Sequence, residues 1–126
     1  MSFRVRRADE SVAHEFATAC TAGSVAALRG MLAPEAVVVS DGGGKVAAEL
    51  HPTRGADAVA RRITEALSRQ PGTALSVEAV NGQAGVVLRR AGAVVAVVSL
   101  SVAGAKIAAV WIVLNPDKLR HWAVRE

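Results

Sequence analysis

Apolar residues recur at helical spacing in three stretches of the chain's first seventy residues. Such a stripe is typical of a helix that buries one face, and it predicts helices over about residues 9–20, 24–33 and 56–69. Ser24 can cap the second helix and Pro34 stops it, because Ser accepts a bond from a free amide and Pro has no amide to donate. The inward positions are Val12, Phe16, Ala19 and Cys20, then Val25, Leu28, Met31 and Leu32, then Val59, Ile63 and Leu67.

Alternating and continuous apolar runs separated by turn residues predict strands in the rest of the chain. The predicted strands are residues 37–39 with a return at 46–50, then 75–80, 83–90, 93–102 and 107–114. The last four are joined by Asn81-Gly82, Ala91-Gly92 and Gly104-Ala105, which are tight hairpin signals. Strands joined in this way are antiparallel, so the C-terminal half is predicted to be a four-stranded meander.

This element order predicts an α+β fold in a single domain that spans residues 1–126, with a basic leader at 1–8 and a C-terminal tail at 117–126. Three N-terminal helices would cover one face of a curved antiparallel sheet, whose concave side would form a cone-shaped pocket. Phe16 and Trp111 are the pocket candidates. Whether Trp111 lines or plugs the pocket depends on strand parity, which a shift of one residue reverses.

Composition narrows the class of protein. Apolar residues make up 52% of the chain and the formal net charge is +4. The basic leader Phe3-Arg4-Val5-Arg6-Arg7 has one aromatic residue, whereas nucleic-acid platforms interleave several with basic residues, so direct nucleic-acid binding is not expected. The single cysteine, Cys20, excludes an internal disulfide and is predicted to be a core thiol.

Residues 91–114 are almost continuously apolar and long enough to span a bilayer. Lys106 interrupts them beside Gly104, and Val and Ser are common, so two buried strands explain this segment better than a membrane helix. No apolar run follows the basic leader, so no signal peptide is predicted. The expectation is a cytoplasmic protein without membrane contact.

The residues that could carry chemistry are few. Asp41-Gly42-Gly43-Gly44-Lys45 lacks the first Gly and the final Ser or Thr of a phosphate-binding loop, which favours a glycine hairpin. The three histidines have no metal-ligand spacing, so neither a metal nor another cofactor is predicted. General acid or base candidates are Asp41, Glu49, Glu78, His14 and His51, each of which is explained more simply as a solvated or capping residue. No catalytic residue is assigned, and a regulatory or binding module is favoured over an enzyme.

The element order and several local motifs together resemble a known family, the SnoaL-like branch of the nuclear transport factor 2-like (cystatin-like) fold. Within it, Asp41-Gly42-Gly43-Gly44-Lys45 and Asn115-Pro116-Asp117-Lys118-Leu119 resemble motifs of the C-terminal SnoaL-like domain of extracytoplasmic-function RNA polymerase sigma factors. Arg54-Gly55-Ala56-Asp57, and Val80-Asn81-Gly82-Gln83 with Gly85, agree with this resemblance. It covers the chain from about Ala8 to Leu119.

The resemblance implies a regulatory domain that modulates transcription initiation through contacts with the sigma core domains or RNA polymerase. The two motifs are then the contact surfaces, with Lys45 and Lys118 facing acidic groups and Leu119 as an apolar anchor. The contact candidates are Asp41, Gly42, Gly43, Gly44, Lys45, Asn115, Pro116, Asp117, Lys118 and Leu119.

Other readings remain open at this point. The sigma domains are not part of this sequence, so the chain is either a piece of a longer protein or a stand-alone relative. A stand-alone relative would be a small-molecule binder, with an apolar ligand in the pocket, or an enzyme of the polyketide-cyclase or isomerase type, because fold alone does not set function. Homodimerisation would bury an exposed sheet face, and the sequence does not decide it.

Overall fold

The structure is a computed structural model that describes residues 7–41, 52–67, 72–80, 82–114 and 119. Within these ranges the helices are α1 (Arg7–Ala22), α2 (Val25–Met31) and α3 (Ala56–Ala66), as the apolar stripes predict. The Ser24 side chain caps α2 by accepting a hydrogen bond of 3.0 Å from the backbone N–H of Ala27. No helix in the described ranges is long and apolar enough to cross a membrane.

The described strands are β1 (Leu32–Asp41), β2 (Thr53–Arg54), β3 (Thr73–Val80), β4 (Gln83–Arg90), β5 (Ala93–Ala103) and β6 (Lys106–Val113). They form one sheet in the order β2-β1-β6-β5-β4-β3. The predicted meander is confirmed, because β3 to β6 pair antiparallel with their neighbours along the chain. The predicted return strand at residues 46–50 lies outside the described residues. Within the described residues, the antiparallel partner of β1 is β2.

One strand pair differs from the predicted all-antiparallel sheet. β1 runs parallel to β6, with Val37 opposite Ala109 and Asp41 opposite Val113, so the sheet is mixed. A tight turn forces antiparallel pairing only between consecutive strands, and α3 and the meander separate these two. The α+β class with three helices packed on a curved sheet is confirmed.

The side of the sheet that faces the helices carries the main core. Phe16, Leu28 and Ile63 from the three helices are fully buried against strand residues such as Val98 and Ile112. Cys20 belongs to this core, and burial raises the pKa of its thiol to about 12, in agreement with the predicted core thiol.

Because side chains alternate along a strand, every second residue points away from the helices. We call this side of the sheet the outer face. Register partners on neighbouring strands form rows across this face. One such row consists of Val39, Trp111, Ser99, Gly85 and Glu78.

Candidate functional site

The two motifs singled out in the sequence begin at neighbouring points of the sheet. β1 ends at Asp41 and β6 ends at Val113, and these two residues are register partners. The backbone N–H of Leu114 donates a hydrogen bond of 2.7 Å to the carbonyl oxygen of Asp41. The parallel pair therefore brings Asp41, the first residue of one motif, beside Leu114, which directly precedes the other, and we call this place the motif end.

Most of the predicted contact residues lie outside the described part of the chain. These are Gly42, Gly43, Gly44, Lys45, Asn115, Pro116, Asp117 and Lys118. The described contact candidates are Asp41 and Leu119, and both are buried at 7% exposure. Their side chains thus offer little surface to a partner.

Leu119 packs on the outer face of its own chain. It forms a small apolar cluster with Val80 and Val97, beside Val94 and Val113. Leu119 anchors the second motif to its own sheet, whereas the resemblance implied an anchor for a partner.

Phe16 and Trp111 lie on opposite sides of the sheet. Phe16 is fully buried between α1 and the helix-facing side. Val110 and Ile112 point to that same side, so Trp111 between them points to the outer face, where it is 45% exposed. The structure does not bring the two pocket candidates together.

A groove of about 640 Å³ runs between α1 and the edge strand β3. The described residues that line it are His14, Ala17, Thr18, Thr21, Ala22, Leu75, Ser76 and Val77. Leu75, Ser76 and Val77 are consecutive, so their side chains point to alternate faces of the sheet. These three residues therefore line the groove along the exposed edge of β3, and not through a single face. His14 contributes an imidazole to this lining, and its ring nitrogens can form hydrogen bonds.

Among the other acid and base candidates, Glu78 is held by an ion pair. Glu78 Oε2 lies 2.6 Å from Arg89 Nη1 and accepts a hydrogen bond of 2.7 Å from Ser76 Oγ. Glu49 and His51 lie outside the described residues. Among the residues described, no three His, Cys, Asp or Glu side chains group as a metal site would require.

No family model matches the chain, and no curated protein matches it. Solved structures do match. The extracytoplasmic function sigma factor SigJ of Mycobacterium tuberculosis superposes with a TM-score of 0.69 at 23% identity, over 91% of this chain. The chain spans 45% of the length of that SigJ chain.

Two further structures share the architecture over most of their own length. A steroid delta-isomerase from Pseudomonas aeruginosa matches with a TM-score of 0.65 at 16% identity, over 97% of this chain and 90% of that one. A SnoaL-like protein of unknown function from Burkholderia thailandensis matches with a TM-score of 0.62 at 16% identity, over 88% and 97%. The chain therefore has the NTF2-like (cystatin-like) fold that these SnoaL-like proteins, isomerases and SigJ share.

Proposed function

We propose that this chain is the regulatory SnoaL-like domain of a sigma factor and modulates transcription initiation by contacting the sigma core domains through the motif end. The observation that carries the proposal is the hydrogen bond between Leu114 N–H and the Asp41 carbonyl, because Asp41 is the first residue of one motif and Leu114 directly precedes the other. The likeness to SigJ supports it, because this chain corresponds to less than half of that sigma factor.

The chemistry of the motifs suits protein contact. Two segments that leave neighbouring strands can form one continuous surface, although they are distant in the sequence. The two motifs include Lys45 and Lys118, whose positive charge attracts acidic groups on a partner. Leu119 packs against Val97 and Val80 and so fixes one end of the second motif, which reduces the entropy lost when a partner binds.

Calorimetric titration with purified sigma core domains of the source organism tests this proposal. Replacing Asp117 and Lys118 together by Ala should weaken binding at least tenfold, because both charges of the second motif are removed. The matched control replaces Arg61 and Glu65 by Ala, which removes one charge of each sign from the exposed face of α3. An unchanged dissociation constant for the motif variant, with full binding by the control, contradicts the proposal.

The groove between α1 and β3 favours a second candidate function, the binding of an apolar small molecule. Its volume of about 640 Å³ lies in the range of ligand sites, and His14 gives it one polar anchor. A steroid ketone is a suitable probe, and saturating amounts should raise the melting temperature. His14→Ala should remove that rise if the ligand occupies this groove, whereas no rise with the unmodified chain argues against a binder of this class.

A further inference from the structure

The strand β3 forms one edge of the described sheet, and its sequence does not protect that edge. It is eight residues long, whereas β2 at the other edge has two. Its register with β4 is continuous from Thr73 to Val80, so no bulge bends it. Natural edge strands are commonly short, bulged or marked by Pro or Lys, which prevents pairing with another strand. β3 has neither Pro nor Lys, and its one charge, on Glu78, is neutralised by Arg89.

The hydrogen bonds of the β3–β4 ladder show which backbone groups reach this edge. The N–H of Ala91 donates a hydrogen bond of 3.1 Å to the carbonyl oxygen of Gly72, so these two residues are a hydrogen-bonded pair. Such pairs alternate along antiparallel strands. The residues that turn their N–H and C=O groups away from β4 are therefore Thr73, Leu75, Val77 and Ala79. Within the described residues, no backbone hydrogen bond reaches the groups so turned.

The β3 strand of a second copy can pair with all four of these outward residues at once. In an antiparallel dimer with its two-fold axis at Ser76, Thr73 lies opposite Ala79 of the second copy, and Leu75 lies opposite Val77 of the second copy. An axis at Leu75 or at Val77 would place one outward residue opposite a residue beyond the strand. Ser76 is therefore the axis position in β3 that matches every outward backbone group.

The side chains select the second copy, because the backbone groups alone would accept any extended segment. Leu75 and Val77 both pack against the main core, so each meets an apolar residue of the second copy on the helix-facing side. On the outer face, Glu78 lies opposite Ala74 of the second copy, and Arg89 of that copy comes next in the same row. Opposite charges then stand two strands apart, roughly 10 Å, and no like charges lie directly opposite each other.

The groove between α1 and β3 leaves room for the added strand. The α1 side chains that line it are short apart from the imidazole, and they are His14, Ala17, Thr18, Thr21 and Ala22. Two-fold pairing keeps the α1 helices of both copies on the same side of the joined sheet, and a groove of about 640 Å³ separates each helix from the junction. Leu75 and Val77 of the second copy then continue the floor of the groove, so two chains line each groove.

We propose that this chain forms a dimer in which β3 pairs with β3 of a second copy around Ser76 and joins the two sheets into one. This inference does not depend on the proposed function. The motif end lies on β1 and β6, and two further strands separate β6 from β3. A sigma domain can therefore contact the motif end of either copy while the β3 edges are paired.

Sedimentation velocity of the full chain tests the dimer. The unmodified chain should sediment as a dimer, and Ser76→Lys and Ser76→Glu should each be monomeric, because two like charges would lie opposite each other at the axis. An equal mixture of the two variants should restore the dimer, since Lys then faces Glu. Ser101→Lys is the matched control, because Ser101 is an exposed serine on β5 away from the edge, and that variant should remain dimeric.

Val77→Pro tests the backbone pairing independently. The N–H of Val77 points away from β4, so proline at this position removes a donor to the second copy and keeps the β3–β4 ladder. The variant should be monomeric with an unchanged circular dichroism spectrum. Ser76→Pro is the comparison: it removes a ladder donor to β4 and should lower the melting temperature.

Other outcomes overturn the inference. A monomeric unmodified chain shows that no second copy covers the edge, whether the edge stays open or pairs with another protein. A dimer that Ser101→Lys breaks and Ser76→Lys leaves intact is formed through the outer face. If the mixed Ser76 variants stay monomeric, the axis does not lie at Ser76. These results leave the proposed function untouched, because binding to the sigma core decides it.

Discussion

The side chain of Val80 on β3 packs over the backbone of Gly85 on β4, diagonally across the strand pair. A Cβ atom built on Gly85 would stand 2.6 Å from Val80 Cγ2 and 2.5 Å from the carbonyl oxygen of Val98. Only glycine therefore allows Val80 to occupy this place. Val80 in turn packs with Val97 against Leu119, so the glycine makes room for the cluster that holds the second motif.

Gly85→Ala should lower the free energy of unfolding by roughly 1–3 kcal/mol, because the added methyl group overlaps a backbone atom that cannot move freely. Urea unfolding followed by circular dichroism measures this change. Gly30→Ala is the control: a Cβ at Gly30 in α2 meets nothing within 4 Å, so that variant should gain about 0.5–1 kcal/mol. Equal stabilities for Gly85→Ala and the unmodified chain would contradict the packing described.

Cys20 makes the stability depend on alkaline pH. Burial raises the pKa of its thiol from 9.0 to about 12, so between these values the unfolded chain releases a proton that the folded chain keeps. The contribution of this thiol to stability is complete below pH 9 and is lost as the pH rises towards 12. Unfolding curves at a series of pH values should show a fall for the unmodified chain that is smaller for Cys20→Ala.

The same thiol should be unreactive in the folded protein. A disulfide reagent at pH 8 should modify Cys20 only as fast as the chain opens, and at once in urea, because the thiolate is the reacting form and the side chain is buried. Rapid modification of the folded chain would show that the thiol is accessible, and would contradict its place in the core.

Ser40 places a hydroxyl on the helix-facing side of the sheet, where its register partner is Ile112. Its Oγ is buried and has no hydrogen-bond partner among the described residues. Ser40→Ala should therefore leave the free energy of unfolding unchanged or raise it by about 1 kcal/mol, since an unsatisfied polar group is removed. Ser24→Ala is the matched control, and it should cost about 1 kcal/mol because it deletes the α2 cap. A loss at Ser40 as large as the loss at Ser24 would mean that the hydroxyl does have a partner.

The turn between β4 and β5 contains a strained alanine. Ala91 has φ 53°, and Gly92 after it has φ 85°, which is the conformation that Asn-Gly adopts most readily. Ala91→Asn should raise the free energy of unfolding by about 1 kcal/mol, because Asn tolerates the left-handed region better than Ala. Ala105→Asn provides the comparison, since Ala105 lies in the β5–β6 turn without a positive φ and should gain nothing. Equal melting temperatures for the two variants would contradict this explanation.

The local elements could be predicted from the sequence because local residues determine them. Gly82, Gly92 and Gly104 each follow or open a turn between two apolar runs, and the structure has hairpins at all three places. Ser24 likewise indicates the start of α2, because its hydroxyl caps that helix. Patterns of this kind act over a few residues, so the order of helices and strands, and the α+β class, are contained in the chain itself.

Long-range pairing was decided only by the tertiary structure. Nothing near Asp41 in the sequence indicates that β1 lies beside β6, and this parallel pair is what brings Asp41 next to Val113 and Leu114 at the motif end. The sequence also did not indicate which side of the sheet each β6 residue faces. Ile107 and Val110 both face the helices although they are three residues apart, which breaks the alternation expected of a regular strand. A bulge opposite the step from Ser101 to Val102 shifts the alternation, and it turns Trp111 away from Phe16 to the outer face. The sequence alone thus determined the elements and the motifs. The neighbours of each strand, and the one inserted residue in β6, decided which described residues share a face of the sheet, because both depend on contacts between residues distant in the chain.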